Sequence, residues 1–224
     1  MALVFFVRHG QASFGTADYD RLSDLGRQQS RWLGEYFASR GVVFRRAIAG
    51  TLKRQQDTAS EILGAMGADL SIQSHAGLNE YRAEALYRSY TGGRDLLAHQ
   101  REDYRDYWRT LKAAMLAWSE DRLDNVPETW SDFAARTRAA LALAAHGLKR
   151  EEAALVVSSG GAISRAVVDL LGAASPVAIE FNLQFRNSGF CEFIATSDGN
   201  LRMVSFNAIP HLEAPERRQA ITFA

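Results

Sequence analysis

A short apolar run near the start of the chain constrains its fold more than any other feature. Residues 3–7 are five consecutive apolar side chains, a length that suits a buried strand and is too short for a core helix. The run stops at Arg8, His9 and Gly10. Polar residues directly after a buried strand lie at its carboxyl end, where open α/β sheets bind their ligands. The run therefore predicts a buried strand, followed either by a ligand site or by an ordinary basic turn.

A second apolar run, at residues 153–157, has the same character. It stops at two serines and two glycines, residues 158–161, and a helix pattern then continues to residue 171. A strand, a tight glycine turn and a helix start form an anion-binding arrangement, because backbone N–H groups converge there. The turn that contains Ser159 and Gly160 is therefore a second candidate site.

Short strand patterns alternate with helix patterns along most of the chain. The predicted strands beyond the two buried runs are residues 46–49, 71–74, 190–196 and 201–206, the last two joined by a hairpin turn at 197–200. This alternation favours a mostly parallel sheet covered on both faces. We expect an α/β fold, a three-layer α/β/α sandwich whose mostly parallel sheet carries an antiparallel edge strand. No repeat or linker interrupts the pattern, so residues 1–224 are expected to form one domain.

Two predicted helices follow the first strands. Ser23 and Asp24 are expected to cap the first helix, which ends at Gly41, and Thr51 is expected to cap the second. Arg54 then lies in the first turn of a helix, where the helix dipole disfavours cations and attracts anions. An arginine at this position is unusual for a purely structural role, so Arg54 and the helix start are expected to face the same anion.

The segment from about residue 81 to residue 125 differs in character, being rich in Tyr, Trp and Arg, and it is read as a helical insertion after Glu80. Its arginines either line the mouth of a substrate site or form the solvated face of an amphipathic helix, which is the commoner situation. Pro127–Glu128–Thr129 is expected to open a further helix.

Composition excludes several classes of protein. Lys plus Arg and Asp plus Glu both number 26, so no global charge attracts nucleic acid or an anionic membrane surface. The single cysteine, Cys191, excludes an intrachain disulfide and any cysteine zinc site. No apolar run reaches the roughly 18 residues of a membrane span, and no signal peptide is recognisable, so we expect a cytoplasmic protein. Neither buried strand precedes a dinucleotide-binding glycine pattern, and no metal or other cofactor is expected.

Several short motifs occur in a fixed order along nearly the whole chain. They are Arg8–His9–Gly10, Leu22–Ser23–Asp24–Leu25–Gly26–Arg27–Gln28–Gln29, Leu52–Lys53–Arg54 with Thr58–Ala59, Leu78–Asn79–Glu80, Glu128–Thr129–Trp130–Ser131–Asp132–Phe133 with Arg136, Val156–Val157–Ser158–Ser159–Gly160–Gly161–Ala162–Ile163, and Phe206–Asn207 with His211–Leu212. The ordered set resembles the histidine phosphatase superfamily, which includes the cofactor-dependent phosphoglycerate mutases. Each motif alone is weakly specific, and their order makes the resemblance strong.

The resemblance implies a role for each candidate residue. His9 would attack phosphorus and become phosphorylated, since a neutral imidazole has a free lone pair near pH 7. Arg8 and Arg54 would hold the phosphoryl oxygens with paired hydrogen bonds, although either could instead pair with a carboxylate such as that of Glu80 or Asp57. Glu80 would protonate the leaving group, unless it is a surface glutamate.

Ser159 is the main departure, because the family carries its second active-site histidine there. A serine, with the Gly160 amide beside it, still offers neutral donors to phosphate, but loss of one donor typically costs about 10²–10³ in rate. Asp57 also stands where Gln is usual, and Gly15 where many members have an Asn, for which Ser13 or Thr16 could substitute. Restoring the histidine with Ser159→His is expected to raise activity.

The function expected from these residues is a metal-independent phosphohydrolase or phosphomutase of small phosphorylated molecules, with a phosphohistidine on His9. The altered position 159 disfavours efficient mutase chemistry. The alternative is a weak or inactive phospho-ligand-binding protein of the same fold. A serine hydrolase with Ser159 as nucleophile is disfavoured, because the Gly-x-Ser-x-Gly turn is missing. The expected partner is a small phosphorylated substrate or phosphate, with a homodimer as a further option.

Overall fold

The structure is a computed structural model that describes residues 1–13, 20–196 and 200–223. Two sequence-based expectations fall outside these residues. One is the phosphate contact of Thr16, and the other is the hairpin turn, of which residues 197–199 are not described.

One sheet runs through the described residues. Its strands are β1 (Ala2–Arg8), β2 (Phe44–Ala49), β3 (Ile72–Ser74), β4 (Ala153–Ser158), β5 (Phe190–Ala195) and β6 (Leu201–Ala208). They lie in the order β3-β2-β4-β1-β5-β6, and every pairing from β3 to β1 is parallel. β5 runs antiparallel to both of its neighbours, one place in from the edge. The edge strand β6 pairs antiparallel with β5, so the predicted mostly parallel sheet with an antiparallel edge strand is confirmed.

The helices cover both faces of this sheet. They are α1 (Asp24–Ser39), α2 (Lys53–Ala65), α3 (Ala83–Thr91), α4 (Leu96–Glu102), α5 (Tyr104–Ser119), α6 (Trp130–Ala145), α7 (Gly160–Leu171) and α8 (Ser175–Gln184). Short 3-10 turns at Ala76–Leu78, Pro210–Leu212 and Pro215–Ala220 complete the described structure. The segment predicted to be a helical insertion holds α3, α4 and α5, and assignment of the whole chain to one domain stays a prediction.

The alternation of side chains along β1 produces the three layers. Phe5 and Val7 point to one face, where they pack with α1 and α2 through residues such as Leu33. Val4 and Phe6 point to the other face, where they pack with α6 and α7. All four side chains are fully buried, at about 1.5–3 kcal/mol each in favour of the folded state. The apolar run of the sequence is therefore the central layer of the core.

The starts of α1 and α2 differ from each other. Ser23 caps α1 as predicted, because its side chain accepts a hydrogen bond from Gly26 N at 3.0 Å. The predicted cap of α2 by Thr51 is wrong: the N-cap is Leu52, and no side chain of its own caps the helix. Thr51 Oγ1 instead accepts from the side-chain amide of Asn79 at 2.7 Å, which ties it to the segment that carries Glu80.

No helix in the described parts of the chain has both the length and the apolar character needed to cross a membrane.

Candidate active site

The parallel strands β1 and β4 bring the two predicted sites together. Arg8 pairs with Ser158 in the register of these strands, and His9 N donates to Ser158 O at 2.9 Å. β2 joins them on the other side of β4, where Gly50 N donates to Val157 O at 3.1 Å. The carboxyl ends of three neighbouring strands therefore meet at one edge of the sheet, which is where the sequence predicts the ligand site.

His9 is held as a neutral imidazole with a defined tautomer. It is 5% exposed, and its Nδ1 lies 2.7 Å from Gly10 O. Because a carbonyl oxygen only accepts hydrogen bonds, Nδ1 carries the proton and Nε2 carries the lone pair. Burial, with the charges of Arg54 and Arg8, holds the pKa of His9 well below its ordinary value of 6.5. The ring is therefore neutral at pH 7, the form in which an imidazole can act as a nucleophile.

Arg54 approaches His9 from the first turn of α2. Its Nε lies 3.1 Å from His9 Nε2, and its Nη1 donates to Asp20 Oδ1 at 2.7 Å. The other carboxylate oxygen of Asp20 accepts from Lys53 N at 2.8 Å, at the start of the helix. Arg54 thus pairs with a carboxylate, as the structural alternative allows, and this carboxylate belongs to Asp20.

An anionic oxygen therefore already occupies the start of α2. Asp20 binds a helix N-terminus and a guanidinium together, which is the pair of groups that the sequence predicts to face an anion. The helix start and the arginine do attract an anionic group, and that group is the carboxylate of Asp20 from the same chain.

Arg8 is anchored by main-chain carbonyl groups. Its Nη1 donates to Phe185 O and to Phe223 O, the latter at 2.6 Å. Its Nε lies beside the start of α7, since a Cβ added to Gly160 would be 3.5 Å from it. The guanidinium therefore stands next to the glycine turn that follows β4.

Glu80 closes the site from the segment after the Ala76–Leu78 turn. Its Oε2 accepts from Gly161 N at 2.9 Å, and its Oε1 accepts from Tyr81 N at 3.2 Å. Burial raises the pKa of Glu80, while these two hydrogen bonds and the charges of Arg54 and Arg8 act in the opposite direction. A carboxyl group with a raised pKa can hold the proton that a leaving oxygen needs.

Close contacts explain the two glycines at the start of α7. A Cβ at Gly160 would lie 2.7 Å from Asn182 Oδ1, and one at Gly161 would lie 2.4 Å from Glu80 Oε1. Any side chain at these positions would displace a polar group of the site. The glycines therefore let Asn182 and Glu80 approach the backbone of the helix start.

Ser159 lies in the interior, at 1% exposure, between β4 and α7. It is the N-cap residue of α7, but its side chain makes no capping hydrogen bond. Its Oγ accepts instead from Gln55 Nε2 at 2.8 Å. The interior position between β4 and α7 is thus filled by a serine together with a glutamine from α2.

Three residues of this site are missing from the sequence-based prediction. Asp20 lies in a polar loop that has no secondary-structure pattern. Gln55 directly follows Arg54, and only the arginine is part of that prediction. A glutamine on the buried side of a helix is nevertheless unusual and could have been noticed. Asn182 belongs to α8, whose apolar residues are spread around the helix and give no helical period.

Nothing among the described residues groups three or more His, Cys, Asp or Glu side chains into an arrangement that could hold a metal ion.

The chain belongs to the histidine phosphatase superfamily, branch 1, whose family model matches residues 4–208. This match confirms the resemblance that the ordered motifs indicate.

A curated relative is the 2,3-bisphosphoglycerate-dependent phosphoglycerate mutase of Methylorubrum populi, which is 31% identical over 141 residues. The matched part covers 60% of this chain and 62% of the relative. The chain therefore matches less than two thirds of the relative's length.

Similar solved structures confirm the fold. Mycobacterial hydrolase 2 has a TM-score of 0.67 at 20% identity, covering 97% of this chain and 95% of its own. The mycobacterial glucosyl-3-phosphoglycerate phosphatase in complex with inorganic phosphate has a TM-score of 0.67 at 22% identity, covering 93% and 98%. A phosphoserine phosphatase mutant from Entamoeba histolytica, in complex with phosphoserine, has a TM-score of 0.64 at 18% identity, covering 95% and 100%.

Proposed function

We propose that this chain is a phosphohydrolase that removes the phosphoryl group from a small phosphorylated molecule by way of a phosphohistidine on His9, without a metal ion. One observation carries the proposal. The imidazole of His9 is buried and neutral, and its Nδ1 proton is fixed on Gly10 O, so the Nε2 lone pair faces the guanidinium of Arg54. A nucleophilic nitrogen beside a group that binds phosphate is the requirement for phosphoryl transfer.

The reaction then follows from the placement of these groups. His9 Nε2 attacks phosphorus, the bond from phosphorus to the ester oxygen breaks, and the carboxyl group of Glu80 gives its proton to the leaving oxygen. In the second half, the Glu80 carboxylate takes a proton from water, whose oxygen attacks phosphorus. The bond from phosphorus to nitrogen breaks and releases inorganic phosphate, and both residues return to their starting states.

The arginines carry the charge of the transferring group. In phosphoryl transfer negative charge is spread over three equatorial oxygens, and guanidinium groups stabilise it while they remain protonated at any working pH. Arg54 reaches the nucleophile directly, and Arg8 stands by Gly160 at the start of α7. The phosphoryl group would lie among these groups.

Hydrolysis is favoured over mutase activity by the chemistry of position 159. The Methylorubrum relative is named as a mutase, and the structural neighbours include proteins named as phosphatases, so the relatives support both reactions. A buried serine supplies a neutral donor where a histidine would supply a charged one, and this weaker support favours the simpler transfer to water. The cytoplasmic location and the homodimer remain predictions.

The second candidate is a phospho-ligand-binding protein that does not turn over. Its supporting observation is the serine at position 159, which lacks the charge of a second histidine. The arginines and the Gly160 amide would bind phosphate equally well in this case, so measurement of turnover separates the two functions.

The test is hydrolysis of p-nitrophenyl phosphate, with and without EDTA, by the wild-type chain and by His9→Ala. We expect turnover by the wild type that EDTA leaves unchanged, loss of turnover in His9→Ala, and an acid-labile phosphoprotein after rapid quenching. The matched control is His146→Ala, since His146 is exposed on the surface. Equal rates for the wild type and His9→Ala would refute the enzyme and leave the binding protein.

A further inference from the structure

Gln55 is a buried polar residue that the proposed reaction does not use. It lies in the first turn of α2, next to Arg54, and is fully buried. Its Nε2 donates two hydrogen bonds, one to Leu78 O at 3.0 Å and one to Ser159 Oγ at 2.8 Å. The side chain therefore connects the helix that carries Arg54 to the turn after β4.

The Leu78 carbonyl determines which end of the Gln55 amide faces Ser159. A backbone carbonyl oxygen only accepts, and Leu78 O also receives the hydroxyl of Ser158 at 2.6 Å. The amide nitrogen of Gln55 must therefore face Leu78, and the same nitrogen reaches Ser159. With the amide reversed, two oxygen atoms would face each other in the interior at a large energetic cost.

Consequently, Ser159 Oγ accepts from Gln55, and its own hydrogen is directed elsewhere. Within residues 1–13, 20–196 and 200–223, the Ser159 hydroxyl has no acceptor. Ser159 directly follows Ser158, whose register partner is Arg8, and directly precedes the glycine amides. A hydroxyl hydrogen released at this point is available to an oxygen of a phosphoryl group bound there.

The other end of the Gln55 amide supports this interpretation. Gln55 Oε1 is buried and has no hydrogen-bond partner among the described residues. An unsatisfied buried oxygen is destabilising, so an apolar residue would be the more stable choice if Gln55 only filled space. The favourable hydrogen bonds of this side chain are therefore the two that its amide nitrogen donates.

We propose that Gln55 is a positioning residue that fixes the Ser159 hydroxyl as a hydrogen-bond donor to the transferring phosphoryl group. This role rests on the proposed phosphoryl transfer at His9. Gln55 does not touch the substrate, and it acts by occupying the lone pair of Ser159. Together the two residues supply a directed neutral donor at the place of the missing histidine.

The decisive variant is Gln55→Glu, which keeps the size of the side chain and reverses its polarity. A carboxylate at position 55 accepts the Ser159 hydrogen. A carboxylic acid uses its single proton on Leu78 O and still leaves an oxygen that accepts from Ser159. In both states the hydroxyl turns away from phosphate. We expect kcat to fall about 10²-fold in Gln55→Glu and in Ser159→Ala, as for the loss of one preorganised donor.

The double variant distinguishes positioning from a structural role. If Gln55 acts only through Ser159, then Gln55→Glu combined with Ser159→Ala is no slower than Ser159→Ala alone. Additive losses would mean that position 55 merely supports the fold. The matched control is Gln56→Glu on the same helix, whose Nε2 donates to Gly50 O and Ser74 Oγ, away from His9. Its kcat should remain within about threefold of wild type, as expected for a side chain outside the site.

Binding of inorganic phosphate separates failure of this proposal from failure of the enzymatic function. If the wild type turns over and Gln55→Glu keeps its kcat, the role of Gln55 is overturned while the enzyme stands. If the wild type is no faster than His9→Ala, the enzyme fails, and titration calorimetry with phosphate decides the donor role. Weaker phosphate binding by both Gln55→Glu and Ser159→Ala supports it, and unchanged binding by either variant overturns it.

Discussion

The ends of β1 and β4 lie side by side at the same edge of the sheet, and they are held in place by different means. After β1, carbonyl oxygens of the main chain fix Arg8 and His9. After β4, the side chain of Gln55 fixes Ser159 through a shared contact with Leu78 O. The proposed nucleophile is thus held by the backbone, which depends on the fold as a whole. The proposed donor opposite is held by one side chain, which a single substitution can change.

Among substitutions at these two strand ends, removal of the positive charge of Arg54 beside His9 is expected to lower activity most. Arg54→Gln should lower kcat/KM for p-nitrophenyl phosphate about 10³-fold, as for loss of an arginine that stabilises the transferring phosphoryl group. Because Arg54 lowers the pKa of His9, its loss raises that pKa. The acidic limb of the pH–rate profile should therefore move to higher pH.

The control for this prediction is Lys53→Gln, which removes the neighbouring positive charge from the same helix turn. Lys53 pairs with Asp57 on the surface and does not contact His9. A matching shift of the acidic limb in Lys53→Gln would show that the general field of α2, and not the contact of Arg54, sets the pKa of His9.

Glu80→Gln should give the next largest effect, and its size should depend on the leaving group. An alkyl alcohol leaves only with a proton, whereas p-nitrophenolate leaves without one. The variant is therefore expected to lose about 10²-fold in kcat/KM with phosphoserine and much less with p-nitrophenyl phosphate, because kcat/KM reports transfer to His9 and not the later attack of water, in which Glu80 acts as the base for both substrates. The exposed Glu84 provides the control as Glu84→Gln. Equal losses with both substrates would contradict the role of Glu80 as the acid.

Ser159→His should give the smallest effect, and the structure changes its expected sign. From the sequence, this substitution is expected to raise activity. In the structure Ser159 is 1% exposed and its Oγ lies 2.8 Å from Gln55 Nε2. A larger imidazole at position 159 would therefore clash with the Gln55 side chain. We expect a loss of about tenfold for the single variant, from overpacking, and recovery when Gln55→Ala makes room. A gain of activity in the single variant would show that this side of the site adapts freely.

The strands of the sheet could be predicted because burial on both faces produces uninterrupted apolar runs. The runs before Arg8 and before Ser158 needed no other information. The helix caps were harder to predict. The cap of α1 is the side chain of Ser23, which directly precedes the helix, whereas the start of α2 is bound by Asp20 from a distant loop. A cap of the second kind depends on tertiary structure, and this is why Thr51 was assigned incorrectly.

The candidate site could be predicted only as far as its motifs extend. His9, Arg54 and Glu80 each belong to a motif at a strand end or a helix start. The contact between Gln55 and Ser159 joins residues 104 positions apart, and neither residue type signals it. The departure at position 159 therefore stays a prediction from the motifs, and the motifs carry no signal for its neighbour Gln55.

The carboxylate of Asp20 on Arg54 has a consequence for how the site responds to dissolved ions. Asp20 acts as a resident counterion, half-exposed and held 2.7 Å from the guanidinium. A phosphate that enters the proposed site replaces the Asp20 carboxylate on Arg54. The electrostatic field at the site therefore changes less than it would if Arg54 had no carboxylate beside it. Attraction between exposed charges weakens as ionic strength rises, with a screening length of about 8 Å in physiological salt. Capture of phosphate by counterion exchange at the proposed site would depend less on that attraction, so its affinity would vary less with salt.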